Sequence, residues 1–524
     1  MRRHTPHRET DVIVVGGGGS GLAAAVEASS HGVAVTLLEK RPQLGGTTGI
    51  AVGSFTAACT SLQHAASVED RTAWHRQDIA RFAPQRESKN NTSLRAWLAG
   101  NAADTLEWLL AMGVEFTGPH PEPPNRLPRM HNVVPNAKIY IFRLQRQAIL
   151  QGVEILAGHA ATRLILDETG RVAGVASRDS SGETTAIYAR RGVVLAAGDY
   201  SSGLAVKNEF LSSETAAIEG INPHSAGDGH RLARDAGAAL VNMDVIYGPE
   251  IRFVPPPGDP FRQLLPASAS GAGSASRELD DLGPEALHAH ARQLLFTWQH
   301  PEDTLYESGA LLVNRDGERF VDETRNPAMA IPKQPGRMAY LIFDQRVARL
   351  FGGWPNFIST APEIGYAYIH DFRRLRPDLY HEAPAVADLA ARIGVDSKAL
   401  DVTLAHYNQA VTQGVADRFG RVGSGAPVDK PPYYALGPAK SWIVTTEGGV
   451  RINQAMQALD DEGKVVPGLY AAGSNGMGGL ILWSHGLHIA WALTSGRHAG
   501  RSAARELPTG RSYSSNIRMA FSID

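Results

Sequence analysis

Apolar residues fall in short, separated runs along this chain of 524 residues. Val12 to Val15 form one run. Glycines follow, then a small-residue stretch from Leu22 to Ser30 and a second run from Val33 to Leu38. Short uninterrupted apolar runs suit strands buried on both faces, so this order predicts strand, helix, strand, a βαβ unit. Near residue 150 the pattern tightens: Val153–Leu156, Thr162–Leu166 and Val172–Ser177 read as strands around the turn Glu168-Thr169-Gly170-Arg171. Val193 to Ala197 predict another buried strand, ending at Gly198.

The texture changes between about 241 and 430. Pro255 to Pro257 predict a rigid loop, and residues 266–276, PASASGAGSAS, a flexible insertion. Residues 385–412 read as helical, with Leu389, Ile393, Leu400, Leu404 and Tyr407 facing inward. The first texture then returns. Gly468 to Gly473, GLYAAG, reads as a strand running into a glycine turn, and Leu487 to Arg505 as a closing helix. The simplest organisation is a nucleotide-binding domain made of residues 1–240 and 431–524, with a substrate-capping domain, 241–430, inserted between them. The expected class is α/β: a two-dinucleotide-binding-type fold with a Rossmann-like βαβ core, plus an inserted α+β cap.

Bulk properties narrow the function. The formal net charge is -2, so the basic footprint of a nucleic-acid binder is missing. The one cysteine, Cys59, excludes an intramolecular disulfide and a cysteine-rich metal or iron–sulfur site; no metal is expected. The polar N-terminal stretch does not read as a secretory signal, and no apolar run is long enough for a membrane span. A cytoplasmic location is the expectation.

Gly16, Gly18 and Gly21 make G-x-G-x-x-G between a predicted strand and helix. The first glycine allows the tight turn, the second a close approach to a pyrophosphate, and the third helix–strand packing; the helix start offers free N–H groups to the anion. Glu39 ends the second strand, where an acid can accept hydrogen bonds from ribose hydroxyls, with Lys40 beside it. Gly45-Gly46-Thr47-Thr48-Gly49 suits a chain hugging an extended cofactor. With GLYAAG near the other end, two glycine-rich approaches imply a long cofactor such as FAD rather than NAD alone.

These stretches resemble the fumarate reductase/succinate dehydrogenase flavoprotein family, which includes 3-ketosteroid dehydrogenases. The likeness runs through DVIVVGGGGSGLAAAVEA, LLEKRPQLGGTTG, VVLAAGDYS, GDGHRLARDAGAAL, LLVNRDGERFVDETR and VPGLYAAGSNGMGG. It implies that Gly16, Gly18 and Gly21 hold the FAD pyrophosphate and Glu39 the adenosine ribose. Thr47, Thr48 and Gly49 would lie on the flavin side, and Ala160 near the adenine. Ala197, Gly198 and Asp228 would support the cofactor. Gly473 and Ser474 would meet its ribityl–pyrophosphate part, and Leu480 and Ile481 the flavin ring. The family's covalent link uses a histidine near the glycine–threonine stretch. None occurs between Leu44 and Thr60, so non-covalent FAD is expected.

The resemblance also makes Arg325, in Arg319-Phe320-Val321-Asp322-Glu323-Thr324-Arg325, the candidate proton donor, although the spacer is shorter than the family's. An oxyanion or carboxylate clamp and a surface salt bridge are the other readings. The family's carboxylate-binding residues are mostly replaced, around Val444-Thr445-Thr446-Glu447, in the loop Gly476–His488, and in Val245-Ile246-Tyr247-Gly248-Pro249. Burying unpaired carboxylates is costly, which argues against fumarate or succinate. Tyr247, Met477, Leu482 and Trp483 instead suit a larger, apolar or aromatic substrate bearing a carbonyl. His485 and His488 are candidates for acid, base or hydrogen-bond donor, or merely satisfy backbone carbonyls at a helix start. The leading expectation is an FAD enzyme moving hydride and proton across a C–C bond beside a carbonyl, with a separate electron carrier or oxygen as partner. Oxidation of a CH–OH or CH–NH group, and a flavin-binding redox sensor without turnover, are the alternatives.

Overall fold

A computed structural model describes residues 7–134, 136–255, 299–360, 366–422 and 425–508. The small-residue stretch 266–276 and most of the proline loop lie outside the described residues.

The opening βαβ unit forms as its pattern predicts: strand His7–Val15, helix Gly19–Ser30, strand Val35–Glu39. The two strands pair in parallel, Val12 opposite Val35. On its other side His7–Val15 runs parallel to Thr184–Leu195, which in turn pairs in parallel with Val465–Ala471. Glu154–Ala157 extends the sheet beyond Val35–Glu39. Segments from the two ends of the chain, His7–Val15 and Val465–Ala471, thus share one eight-stranded sheet with Thr184–Leu195 between them. Val12 to Val14 and Val193 to Leu195 are wholly buried, as continuous apolar runs require of central parallel strands. Each such side chain removed from water contributes roughly 1.5–3 kcal/mol.

The closing helix, Leu487–Arg505, lies against Gly19–Ser30 at very short range. A Cβ on Gly496 would stand 2.2 Å from Ser20 O, so only glycine allows the helices to approach this closely. Glu27 fastens the pair, accepting from Arg497 Nε at 3.0 Å and Arg501 Nε at 2.8 Å.

The second large sheet is built around Tyr433–Ile443, flanked by Glu219–Gly220, Glu250–Phe253, Ala339–Asp344 and Tyr380–Ala383, with Leu311–Val313 outside Ala339–Asp344. The stretch expected to be helical at 385–412 is two helices, Val386–Ile393 and Ser397–Gln413, broken at Gly394 with φ 71°. All five residues expected to face inward there are buried.

Two short ladders join the sheets and matter most for the site. Ile246–Tyr247 pairs antiparallel with Thr445–Thr446, and Leu240–Val241 with Gly449–Val450. Among the described residues no helix is long and apolar enough to cross a membrane.

Candidate functional site

The glycine turn between His7–Val15 and Gly19–Ser30 is packed to its limit. A Cβ on Gly21 would lie 1.8 Å from Gly16 O, and one on Gly16, where φ is +111°, 2.3 Å from Ala196 O. Gly18 is the N-cap of the helix and makes no side-chain cap, so the first N–H groups are left for an anion. Gly18 bridges to Gly45, and a Cβ on Gly46 would stand 3.1 Å from Gly18 Cα, so the second glycine stretch lies on the first.

Glu39 is buried at the end of its strand. Its carboxylate accepts from Gly17 N at 2.8 Å and Arg41 N at 2.9 Å. Burial pushes its pKa up, against the pull of those two backbone donors. Lys40 Nζ meets Asp228 Oδ2 at 2.7 Å, tying this strand end to the helix Asp228–Asp235. Thr47 Oγ1 accepts from Asn222 Nδ2 at 2.9 Å, Thr48 packs on Gly19, and Gly49 N donates to Gly45 O at 2.9 Å. Ala160 opens the strand Ala160–Leu166, next to His159, whose N–H donates to Glu39 O at 2.8 Å.

From the far end of the chain, Gly473 N donates to Ser495 Oγ at 2.9 Å, with half-buried Ser474 beside it and Leu480 and Ile481 buried farther along. Ala197 N donates to Asn475 Oδ1 at 3.3 Å, and Gly198 follows it in the left-handed region. Asn475 was not anticipated from the sequence, although it directly follows the GLYAAG-Ser stretch. Its Nδ2 is buried without a partner. A glycine cradle, an uncapped helix start, a strand-end glutamate and an orphan amide donor together fit a long dinucleotide cofactor.

Around the loop 482–488 lies a second group. Tyr247 stacks on His488, ring centroids 5.6 Å apart at 22°, and tilts against Trp483 at 6.0 Å. His488 Nε2 lies 3.0 Å from Glu447 Oε1, and Glu447, wholly buried, also accepts from Leu482 N at 3.3 and 3.2 Å. His485 is more open, its side chain 45% exposed, with Nδ1 3.6 Å from Glu122 Oε1. Glu122 fastens the same turn, accepting from His485 N at 2.7 Å and Ser484 Oγ at 2.8 Å. Burial raises the Glu122 pKa, and His485 opposes the rise.

Beyond Tyr247 stands Glu250, beside Arg252. Burial would raise the Glu250 carboxyl, but Arg252, His300 and His485 outweigh it and hold it down to about 2. The Tyr247 hydroxyl is pushed well above its ordinary value, by burial first and then by the Glu250 charge it faces.

Tyr247, His485 and His488, expected from the sequence, are therefore brought together. Arg325 is not in contact with them: its side chain is 79% exposed, and its ion pair is with Asp322 at 3.3 Å in the same loop. Glu122, Glu250 and Glu447 are site residues that the sequence reading assigned no role. Glu447 lay within the stretch noted for its missing histidine, whereas Glu122, over 300 residues from the loop it holds, carried no local signal.

A family model described as an FAD binding domain matches residues 11–483, and the chain belongs to that family. It is an FAD-dependent oxidoreductase of the fumarate reductase-like group. It is 28% identical over 512 residues to a fumarate reductase (cytochrome) of Shewanella frigidimarina, covering 95% of this chain and 78% of that one. It is 26% identical over 525 residues to a vinyl phenol reductase of Lactiplantibacillus plantarum, covering 95% and 97%. Among solved structures, the open conformation of a flavocytochrome c3 fumarate reductase is similar, with a TM-score of 0.75, 26% identity and coverage of 95% and 78%. A 3-ketosteroid delta1-dehydrogenase from Sterolibacterium denitrificans shares the fold, with a TM-score of 0.64, 20% identity and coverage of 95% and 99%.

Proposed function

We propose that this enzyme moves hydrogen across a carbon–carbon bond conjugated with a carbonyl or aromatic ring, on a substrate larger and less charged than fumarate. The observation that carries the reading is the wall formed by Tyr247, Trp483 and His488 beside the loop that bears Leu480 and Ile481. Aromatic faces stack on flat conjugated substrates. Relatives named as vinyl phenol, urocanate and digoxin reductases, at 26%, 25% and 24% identity, act on substrates other than fumarate, which supports the same choice.

FAD, held non-covalently, supplies the hydride donor or acceptor. Gly16, Gly18, Gly21, Gly46 and Glu39 hold its nucleotide half. Thr47, Thr48, Gly49, Leu480 and Ile481 line the flavin half. Lys40, Ala160, Ala197, Gly198, Asp228, Gly473 and Ser474 shape the cradle. Tyr247 and Trp483 orient the substrate and exclude water. The proton is moved by a group among Arg325, His485, His488 and Tyr247. A separate electron carrier closes the cycle.

The test is anaerobic. Holoenzyme reduced by a viologen dye is mixed with 4-vinylphenol, 2-cyclohexen-1-one or fumarate, and the return of oxidised flavin absorbance is followed. Fast reoxidation by either of the first two and slow reoxidation by fumarate is the expected pattern. Rapid, saturable fumarate reduction, or no response to any conjugated alkene, overturns the reading.

A further inference from the structure

We propose that Glu447 is a positioning residue that holds His488 by Nε2 and leaves Nδ1 for the substrate, and that the Glu447–His488 pair, resting on the function proposed above, exchanges the proton with the substrate.

Glu447 is fixed on every side. Its N–H donates to Val245 O at 2.9 Å, which closes the ladder carrying Tyr247. Its carboxylate has no exposure and takes the Leu482 N–H as well as His488 Nε2 at 3.0 Å. A carboxylate accepts, so Nε2 carries a hydrogen; the tautomer is assigned from that bond. Nδ1 is then a lone pair in the neutral ring and an N–H in the imidazolium. Tyr247 covers one ring face at 5.6 Å, which sets the ring plane, and the side chain keeps 22% of its surface open. The groups around it are Glu447, Tyr247 with Glu250 behind it, and His485 with Glu122 on its own loop. His488 also stands in the first turn of Leu487–Arg505, so the helix backbone fixes where its side chain starts. No other candidate is held this way. His485 is 3.6 Å from its carboxylate and 45% exposed, and Arg325 is paired within its own loop.

The step balances in both directions. Bound FAD would supply the hydride to one alkene carbon in reduction, while the Nδ1 proton bonds to the other, the carbon beside the carbonyl or aromatic ring, through the former π electrons. His488 is left neutral, with Nε2–H still on Glu447. In dehydrogenation Nδ1 takes that proton, and bound FAD would accept the hydride.

The experiment uses holoenzyme carrying Glu447→Gln, His488→Gln or both. Reoxidation of reduced flavin by 2-cyclohexen-1-one or 4-vinylphenol is followed across pH. Each single variant is expected to slow it by roughly 10²–10⁴-fold, the scale of a lost acid, with FAD retained. The double variant should be no slower than the worse single one, because the two act as a unit. The pH profile of the rate should differ from the wild type's in both His488→Gln and Glu447→Gln, which a merely structural role would not produce.

A second readout needs no substrate: carbethoxylation of His488 by diethyl pyrocarbonate, quantified on its peptide, should change in rate in Glu447→Gln, where the Nε2 partner is altered. Additive losses, rates within about twofold of wild type, or unchanged labelling overturn the proposal. If Glu447→Gln sheds FAD, His488→Gln decides alone, and a near-normal rate there rejects it. Wild-type enzyme inert toward every conjugated alkene would defeat the proposed function instead, while labelling still judges the pairing.

Discussion

Arg325 Nε lies 3.3 Å from Asp322 Oδ2, three residues earlier in the same loop, with the arginine largely in solvent and the aspartate buried. An exposed pair of this kind contributes little to stability, about 0–1 kcal/mol. Replacing Arg325 should therefore cost the fold little, which lets its role in turnover be read from kinetics.

Arg325→Lys keeps the charge but loses the planar fork. If the guanidinium closes onto the substrate to hold developing charge, turnover should fall on the order of a hundredfold, with FAD content and melting temperature unchanged. Steady-state kinetics beside flavin absorbance separates the outcomes. Full activity makes Arg325 a surface residue, and loss of FAD makes it structural.

Glu39→Gln keeps an acceptor for Gly17 N or Arg41 N but removes the charge and one carboxylate oxygen. FAD affinity should weaken by roughly tenfold or more, the scale of 1–3 kcal/mol for a charge-assisted hydrogen bond. Fluorescence titration of apoprotein with FAD measures it. Unchanged affinity would remove Glu39 from the ribose site.

Gly21→Ala should be far worse than a methyl group suggests, because its Cβ would overlap Gly16 O at 1.8 Å, backbone against backbone. Overpacking typically costs 1–3 kcal/mol, and here neither atom can turn away. Flavin-free or insoluble protein is the expected result. A yellow, soluble variant with normal melting would contradict the packed turn.

The buried salt bridges of Arg129 with Asp70 and Asp78, both at 2.6 Å, predict acid lability. Burial alone would raise the Asp78 carboxyl, but hydrogen bonds from Arg129 and Arg126 outweigh it and hold the value down to about 2, from an ordinary 3.8. A depressed folded-state value stabilises the protein above about pH 4, and that contribution is lost as pH falls toward 2. Acid unfolding followed by circular dichroism should show a loss in that window. Asp78→Asn, which leaves part of a buried cation uncompensated, should cost about 3–5 kcal/mol at neutral pH. A variant as stable as wild type would show that the cluster relaxes.

Acid precipitation should release the yellow colour into the supernatant, since no histidine occurs between Leu44 and Thr60 to tether the flavin. Colour that stays with the denatured pellet requires a covalent bond elsewhere.

Local patterning by itself determined the opening unit. Val12–Val15, Gly16, Gly18, Gly21 and Glu39 sit within one strand–turn–helix–strand stretch, where steric limits on the turn act between neighbours and leave a readable spacing. The closing helix was equally legible, since Leu487–Arg505 carries its own periodicity and meets its partner through small residues. Tertiary structure alone decided the group around the loop 482–488. Tyr247 reaches His488 only because Ile246–Tyr247 pairs with Thr445–Thr446. Glu447 becomes the partner of His488, and Glu122 of His485, only after distant segments converge. Hydrogen bonds between side chains depend on ångström distances in three dimensions, whereas strand and helix periods depend on order along the chain. A glutamate in a loop therefore reads the same in sequence whether it meets water or a histidine.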